Sequence, residues 1–474
     1  MNLLGVDIGT TSLKACVFDE NGVEICSATK EYKLITEGEF VEFPAEEYFN
    51  LFMEAYNELL SKTTIDALAI DTQGETLIFL DKAGNPLMNA IVWLDNRAGK
   101  QAKEIEEKFT LKTIYEVTGQ TEVPAGYPAP KIKWLKENRK DIFDKVDKIL
   151  LLEDYLVYRL TGKFYAERSL YSSTLYLDIV SGNYFKEMLD FIGIDESYLP
   201  VLKESGEKVG EFNGVSVSMG ALDQISGFTG SGISKEGVIS EMTGTCLAVC
   251  ALTKSLPPYY EGIKVPCYYV EKGKYCLLMF APTAGMVMEW YRKNFYLNES
   301  YKVIDSEAAS LPLGSEGLII APNMCGEVMP VNDPSLKGGV YGIELKHTRG
   351  HFARAIMESV ACLLRQYLEY IGIEVDEIIS IGGGARSKLW LQIKADITGK
   401  KIATLKNKET GCLGSAIYAG IGAGVYKDRD SAISSLIKID SETLPSAAKT
   451  LADELYNKFI SLDKMLINRD KVLN

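Results

Sequence analysis

Residues 4–14, which read Leu-Gly-Val-Asp-Ile-Gly-Thr-Thr-Ser-Leu-Lys, restrict the fold more than any other stretch of this chain. An apolar strand carries one carboxylate, Asp7, and turns through Gly9, Thr10 and Thr11 into a second strand. The glycine lets the backbone approach a ligand closely, while the threonine hydroxyls and exposed N–H groups can donate hydrogen bonds to phosphate oxygens. The segment predicts a phosphate-binding turn; an ordinary hairpin at a sheet edge is the alternative.

The same pattern returns in the second half of the chain. Residues 238–249 read Val-Ile-Ser-Glu-Met-Thr-Gly-Thr-Cys-Leu-Ala-Val, which is again a strand, a turn at Gly244 and Thr245, and a strand. A length of 474 residues suits two domains of about 200 or more residues each. The repeat therefore predicts two similar lobes that hold a phosphate chain between their turns.

Charge and hydropathy exclude two classes of partner. Asp and Glu number 65 against 51 Lys and Arg, and a net charge of −14 argues against a nucleic-acid surface, which needs a basic face. A strand that begins at Leu3 leaves no room for a signal peptide. The longest uncharged stretch, 410–426, is broken by glycines and is too short to span a membrane. A cytoplasmic protein with no membrane contact is predicted.

Cysteine and histidine usage excludes other chemistry. The nine cysteines are scattered and form no C-x-x-C pair, which indicates reduced thiols and neither disulfides nor a zinc site. His347 and His351 are the only histidines. They lack a glutamate between them and a nearby cysteine, so no metal site is predicted there. A Ser-His-Asp hydrolase is also disfavoured.

Hydrophobic periodicity predicts alternating strands and helices throughout the chain. In the first half, strands are predicted at 3–8, 13–18, 23–30, 65–71 and 76–80, and helices at 45–61, 97–108, 130–138, 153–161 and 184–192. In the second half, strands are predicted at 238–241, 246–252, 317–321, 377–381 and 401–405, and helices at 285–294, 351–371, 387–398 and 412–425. A hinge is expected near 225–235.

Two longer stretches carry a resemblance to a known family. Residues 126–138 read Gly-Tyr-Pro-Ala-Pro-Lys-Ile-Lys-Trp-Leu-Lys-Glu-Asn. Residues 338–343, Gly-Gly-Val-Tyr-Gly-Ile, are followed after seven residues by 351–358, His-Phe-Ala-Arg-Ala-Ile-Met-Glu. Together with the two turns and the stretch Gly-Gly-Gly-Ala-Arg-Ser-Lys-Leu-Trp at 382–390, they resemble the FGGY family of carbohydrate kinases over nearly the whole chain. The resemblance assigns both histidines a structural place.

The resemblance implies an α/β fold of two actin-like (ribonuclease H-like) lobes, each with a mixed five-stranded sheet, and an active site in the cleft. It implies a sugar- and phosphate-binding lobe at 1–228 and a nucleotide-binding lobe at 229–474. The implied reaction is phosphoryl transfer from ATP, with Mg²⁺, to a sugar hydroxyl. An actin-like ATPase would share the turns but not the two family stretches, and a non-catalytic sugar-binding regulator would be expected to lose Asp7 or the catalytic aspartate.

Asp223 stands at the position of the family's catalytic aspartate in Gly-x-x-Asp-Gln/Asn, so the resemblance makes it the general base. Capping of the following helix is an alternative, compatible role. Asp7 is expected to hold Mg²⁺ through water, unless neighbouring N–H groups satisfy its charge. Gly383 and Gly384 alone would indicate only a tight turn, but in the family this turn borders the adenine and ribose. The predicted nucleotide-binding residues are Gly9, Thr10, Thr11, Lys14, Gly244, Thr245, Gly285, Gly383 and Gly384.

The acceptor is less determined. Glycerol kinases carry Gln-Arg-Glu-Thr where this chain has Gln-Gly-Glu-Thr at 73–76, and a substrate tyrosine at the position of Gly126. The absence of this arginine and this tyrosine predicts a roomier, less basic pocket and an acceptor longer than glycerol. The histidine of typical xylulokinases is absent. The predicted sugar contacts are Gln73, Glu75, Trp93, Asp95, Asn96 and Gln224. For Trp93, a place in the core at the end of a strand is the alternative.

A ketopentose such as xylulose is the leading expectation for the acceptor. Glycerol and other polyols or aldonates remain open alternatives, and a homodimer is an open alternative to a monomer.

Overall fold

The computed structural model of the protein describes residues 1–330, 332–446 and 449–473. The first half contains nine α-helices and fifteen strands among these residues. The strands are β1 (Leu3–Ile8), β2 (Ser12–Phe18), β3 (Glu24–Glu31), β4 (Ile35–Glu37), β5 (Phe40–Phe43), β6 (Ala67–Thr72), β7 (Leu77–Leu80), β8 (Ala90–Ile91), β9 (Lys148–Leu151), β10 (Tyr165–Glu167), β11 (Leu177–Asp178), β12 (Asn183–Tyr184), β13 (Val201–Lys203), β14 (Lys208–Phe212) and β15 (Val215–Ser218). The helices are α1 (Ala45–Leu60), α2 (Gly99–Lys108), α3 (Leu111–Thr118), α4 (Pro128–Asn138), α5 (Lys140–Phe143), α6 (Leu152–Thr161), α7 (Arg168–Tyr171), α8 (Lys186–Ile192) and α9 (Asp223–Gly230).

The second half has the same alternation. Its described strands are β16 (Val238–Thr243), β17 (Leu247–Thr253), β18 (Cys267–Glu271), β19 (Lys274–Ala281), β20 (Ile319–Ala321), β21 (Gly339–Tyr341), β22 (Glu377–Ile381), β23 (Lys401–Leu405) and β24 (Ile439–Thr443). Its described helices are α10 (Gly285–Phe295), α11 (Tyr301–Ala309), α12 (Arg349–Ile371), α13 (Lys388–Thr398), α14 (Thr410–Gly422), α15 (Arg429–Leu436) and α16 (Lys449–Leu473). None of these described helices combines the length and apolar character needed to span a bilayer.

The two central sheets repeat one topology. The first has the order β14-β15-β6-β1-β2-β3 and the second β18-β19-β17-β16-β22-β23-β24. Each contains an antiparallel meander of three strands. The first strand of the meander pairs in parallel with a fourth strand, and this fourth strand pairs in parallel with a fifth. This shared five-stranded core confirms the two actin-like lobes. The predicted number of five strands in each sheet is too low, because additional edge strands extend the two sheets to six and seven strands.

Strand alternation separates the two faces of the first sheet. Leu4, Val6 and Ile8 belong to a core that includes residues of α1 and α6. Gly5 faces the other way, where a Cβ atom would lie 1.8 Å from the carbonyl oxygen of Cys412 in α14. A helix from the second half of the chain therefore covers one face of the first sheet.

Helices α9 and α14 cross in direct backbone contact. A Cβ atom on Gly414 would lie 2.0 Å from the carbonyl oxygen of Ser226, and one on Gly230 would lie 1.9 Å from that of Thr410. This crossing lies in the segment where the hinge is predicted. The domain boundary between residues 228 and 229 stays a prediction. Helix α14 belongs to the second half of the chain but packs on the first lobe.

Candidate functional site

Two aspartates are the next-to-last residues of neighbouring parallel strands, close to the predicted phosphate turn at Gly9. Asp7 on β1 and Asp71 on β6 are register partners, and Asp71 is fully buried. Burial raises the pKa of both carboxyls, and the charge of Asp7 raises the pKa of Asp71 further. Ser415 of α14 donates a hydrogen bond of 2.6 Å to Asp71 Oδ2. Asp71 was not among the predicted site residues, although it follows an apolar strand just as Asp7 does.

Asp223 completes the acidic cluster. It is the first residue of α9, is half-buried, and accepts a hydrogen bond of 2.6 Å from the Gln224 backbone N–H. Leu222 occupies the N-cap position, so the structure does not give Asp223 the capping role. Burial and then the charge of Asp7 raise the pKa of Asp223 to about 7. A carboxyl with this pKa can accept a hydroxyl proton near neutral pH.

The predicted phosphate turn at residues 9–11 is stabilised by its neighbours and keeps its tip accessible. The N–H of Gly9 donates to the carbonyl oxygen of Ser12 at 3.0 Å, and Thr11 is exposed. The indole N–H of Trp93 donates to Thr10 Oγ1 at 3.1 Å. One predicted sugar-binding residue is thus placed directly beside the predicted phosphate turn.

Lys14 has a different environment from the one expected of a phosphate ligand. Its ammonium group lies 2.6 Å from Glu409 Oε2, next to the start of α14. Both side chains are about one-third exposed. A phosphate group would therefore have to compete with Glu409 for this ammonium, and nucleotide binding by Lys14 stays a prediction.

In the second lobe, the predicted phosphate turn at Gly244 and Thr245 meets the start of α10. The carbonyl oxygen of Thr245 accepts hydrogen bonds of 3.1 Å from the N–H groups of Ala284 and Met286. A Cβ atom on Gly285 would lie 2.2 Å from the carbonyl oxygen of Gly244. Gly285 is needed for this contact, whereas a Cβ atom on Gly244 would meet no atom within 4 Å. Thr245 is exposed.

The glycine turn after β22 approaches the same point. A Cβ atom on Gly384 would lie 2.7 Å from Thr243 Cβ, and one on Gly383 would lie 3.8 Å from the carbonyl oxygen of Thr243. The predicted nucleotide-binding residues of the second lobe are therefore close together in space.

The residues present are compatible with a magnesium ion that keeps most of its water. No group of three or more His, Cys, Asp or Glu side chains among the described residues forms a ready metal cage. The carboxyls of Asp7 and Asp223 interact electrostatically with the fully buried Asp71, and Asp7 also lies within hydrogen-bonding reach of it. Mg²⁺ is typically held by one or two carboxylates together with water and substrate phosphates, which fits this arrangement.

Glu75 lies in a buried polar pocket beside the acidic cluster. It is 9% exposed and has a φ of 141°, a backbone conformation that costs free energy in a residue other than glycine and that is concentrated at functional sites. Burial raises the pKa of Glu75 to about 7, while Ser173 and Lys131 act to lower it. Burial in turn lowers the pKa of the Lys131 ammonium to about 7. Lys131 was missed, because only folding brings it to Glu75.

The other predicted sugar contacts differ in how available they are. Gln73 donates to the Tyr48 hydroxyl at 3.2 Å, and its Oε1 atom is buried without a partner. The Trp93 side chain is 39% exposed, Asn96 is exposed, and Gln224 is half-buried. These side chains retain atoms or surface that a sugar could contact.

Asp95 is an exception. It is fully buried, its Oδ1 accepts from Arg97 Nε at 2.8 Å, and its Oδ2 accepts from Arg97 Nη2 and the Val41 backbone N–H, each at 2.7 Å. Neither oxygen is free, which corrects the prediction of a direct sugar contact. Asp95 instead supports the loop that carries Trp93.

The prediction of a roomier, less basic pocket also needs correction. A Cβ atom on Gly74 would lie 2.9 Å from Leu222 Cδ1, and one on Gly126 would lie 2.7 Å from the carbonyl oxygen of Trp93. Neighbouring atoms therefore occupy part of the space that larger residues would fill. In addition, Lys131 supplies a buried basic group near Glu75.

Comparison with known proteins gives a consistent result. Residues 2–232 match the N-terminal domain, and residues 239–423 the C-terminal domain, of the FGGY family of carbohydrate kinases. The chain is 29% identical over 493 residues to a xylulose kinase of Bacillus subtilis (strain 168), with 100% of this chain and 98% of the relative covered.

Two solved structures share the fold across their whole length. A protein described as a xyloylose kinase from Brucella ovis has a TM-score of 0.91 and 25% identity, covering 99% of this chain and 100% of its own. Plasmodium falciparum glycerol kinase with ADP has a TM-score of 0.89 and 25% identity, covering 98% of each chain.

Proposed function

Because the chain belongs to the FGGY family of carbohydrate kinases, we propose that it transfers the γ-phosphoryl group of ATP to a hydroxyl of a ketopentose, with xylulose as the first candidate. The observation that carries this proposal is the position of Asp223 in a cluster of carboxyls, with its pKa raised to about 7. The relative from Bacillus subtilis, named a xylulose kinase, supports the choice of sugar.

In the proposed reaction, Asp223 accepts the proton of the attacking hydroxyl. Gln73 and Glu75 hydrogen-bond other hydroxyls, and the exposed face of Trp93 packs against C–H groups of the sugar. Backbone N–H groups and hydroxyls of the two turns, at Thr10 and Thr245, donate to phosphate oxygens. In this proposal, the role of these contacts is to hold the hydroxyl in line with the γ-phosphorus.

Asp7, with Asp71 beside it, would hold Mg²⁺ through water. The ion, when bound, supplies charge neutralisation at the phosphate oxygens. Binding of a cation here would also lower the raised pKa values of both carboxyls. We further propose that the enzyme is cytoplasmic; a homodimer stays a prediction.

Glycerol, other polyols and aldonates are the competing acceptors. Glycerol is disfavoured because Gly74 and Gly126 stand at the positions where glycerol kinases carry an arginine and a substrate tyrosine. A longer acceptor can instead use the polar atoms around Glu75 and Gln73.

A panel of ketopentoses, polyols and aldonates, assayed by coupled ADP release, tests this function. We expect turnover only with an acceptor and the highest kcat/KM with a ketopentose. Glycerol as the best substrate would refute the acceptor. ATP turnover independent of any sugar would indicate an actin-like ATPase, and sugar binding with no turnover would indicate a regulator; either would refute the kinase proposal.

A further inference from the structure

A buried ion pair lies in the second lobe, away from the acidic cluster. The Lys394 ammonium of α13 is 2.6 Å from Glu241 Oε1 of β16, and both side chains are fully buried. A buried ion pair usually adds little stability over a well-packed apolar pair, because desolvation offsets much of the attraction. Its presence calls for a further explanation.

The ion pair is connected to the phosphate turn. Lys394 donates a second hydrogen bond, of 2.9 Å, to Thr243 Oγ1, and the Thr243 hydroxyl donates to Glu241 Oε2 at 2.8 Å. Ser380 of β22 also donates to Glu241. Thr243 is the last residue of β16 and immediately precedes Gly244. The ammonium therefore fixes the residue at which the phosphate turn begins.

The same ammonium lies under the second nucleotide turn. A Cβ atom on Gly384 would be 3.4 Å from Lys394 Nζ and 2.7 Å from Thr243 Cβ, and one on Gly382 would be 3.0 Å from the Thr243 carbonyl oxygen. The two turns thus meet over Thr243, with Lys394 beneath them. Movement of Thr243 would displace both turns together.

We propose that Lys394 is a positioning residue for the nucleotide: acting through Thr243 and Glu241, it fixes the phosphate turn at Gly244 against the glycine turn at Gly384. The inference rests on the proposed function, since it assumes that these turns bind ATP. Lys394 itself does not touch the nucleotide. Its loss should weaken ATP and ADP binding and leave sugar binding nearly unchanged.

The most direct variant is Thr243→Val, which keeps the shape of the side chain and leaves the ion pair in place. This variant removes the hydrogen bonds that hold Thr243, and with it the phosphate turn, to Lys394 and Glu241. Because the turn is then no longer fixed, we expect ADP affinity, measured by calorimetry, to fall about 10-fold. The KM for ATP should rise by a similar factor, and the KM for the sugar should change less than about two-fold. The unfolding midpoint should fall, because the buried Lys394 and Glu241 each lose a hydrogen-bond partner. Lys394→Met should give at least as large a loss of ADP affinity.

Arg354→Met provides a matched control. It breaks another buried ion pair of the same lobe, in which Arg354 Nε donates to Glu358 Oε1 at 2.8 Å. Glu358 is bonded to Ser315 and to the Gly314 backbone, away from both turns. This control should lower the unfolding midpoint without a selective change in ADP affinity.

Unchanged ADP affinity in Thr243→Val would overturn the inference, as would an equal loss of ADP affinity in Arg354→Met. If Lys394→Met does not fold, Thr243→Val still decides. A wild-type protein that does not bind ADP would instead refute the proposed function, so the two failures can be distinguished.

Discussion

Replacement of Asp223 by asparagine is expected to lower kcat by about 10²–10⁴-fold, because it removes a positioned general base. Asparagine has nearly the same shape and can keep the contact with the Gln224 N–H, so ATP and sugar binding should stay within a few-fold of the wild type. Single-turnover measurement of sugar phosphate formation, with binding of both substrates measured separately, gives the comparison. Turnover close to that of the wild type would show that Asp223 is not the base.

The pH profile provides an independent readout for Asp223. A base must be deprotonated to act, so a pKa of about 7 predicts that kcat/KM falls as the pH decreases below 7. Because the charge of Glu75 also raises the pKa of Asp223, the variant Glu75→Gln should move this acidic limb to lower pH. A limb that stays in place in this variant would contradict the coupling between the two carboxyls.

Removal of the Glu75 side chain in Glu75→Ala is expected to raise the KM for the sugar by about 5–150-fold, which corresponds to about 1–3 kcal/mol for a lost hydrogen-bonding contact in a buried site. The KM for ATP should change less than about two-fold. Steady-state kinetics with both substrates varied would measure the two values. An unchanged KM for the sugar would place the acceptor pocket elsewhere.

Glu75→Gly separates the carboxyl from the backbone effect. Glycine adopts the φ of 141° without strain, whereas alanine does not. The two variants should therefore show the same KM for the sugar, with the glycine variant more stable to unfolding. Different KM values would indicate that the backbone conformation, and not the carboxyl, determines sugar affinity.

Local patterns were sufficient to predict most of the central strands and the positions of the two turns that follow β1 and β16. Strand β1 was predicted at its observed bounds, because apolar alternation and a following glycine turn are encoded in adjacent residues. The hairpin of β18 and β19 also has a local signal, since two apolar, aromatic runs flank Lys272 and Gly273, yet it was not predicted. Helix α16 was also not predicted; it lies C-terminal to the stretches that carry the family resemblance.

Tertiary contacts account for what the sequence could not reveal. The partners of Asp95, which remove it from the sugar site, come from β5 and from the same loop. The near-neutral pKa values of Glu75 and Lys131 arise from burial that no sequence pattern around either residue indicates. The ion pair of Lys394 and Glu241 likewise joins residues far apart in the chain.

The packing of α14 on β1 has a consequence for biosynthesis. The face of the first sheet around Gly5 is covered by α14, which begins about 180 residues after the end of α9. The ribosome takes about 9–36 s to add these residues at typical elongation rates. During that interval the nascent first lobe lacks its cover, and its apolar surface is available to chaperones. Ribosome-bound chains arrested before residue 410 should remain protease-sensitive, whereas chains that have fully exposed residue 422 should become protected. Equal protection of both would mean that the first lobe folds without α14.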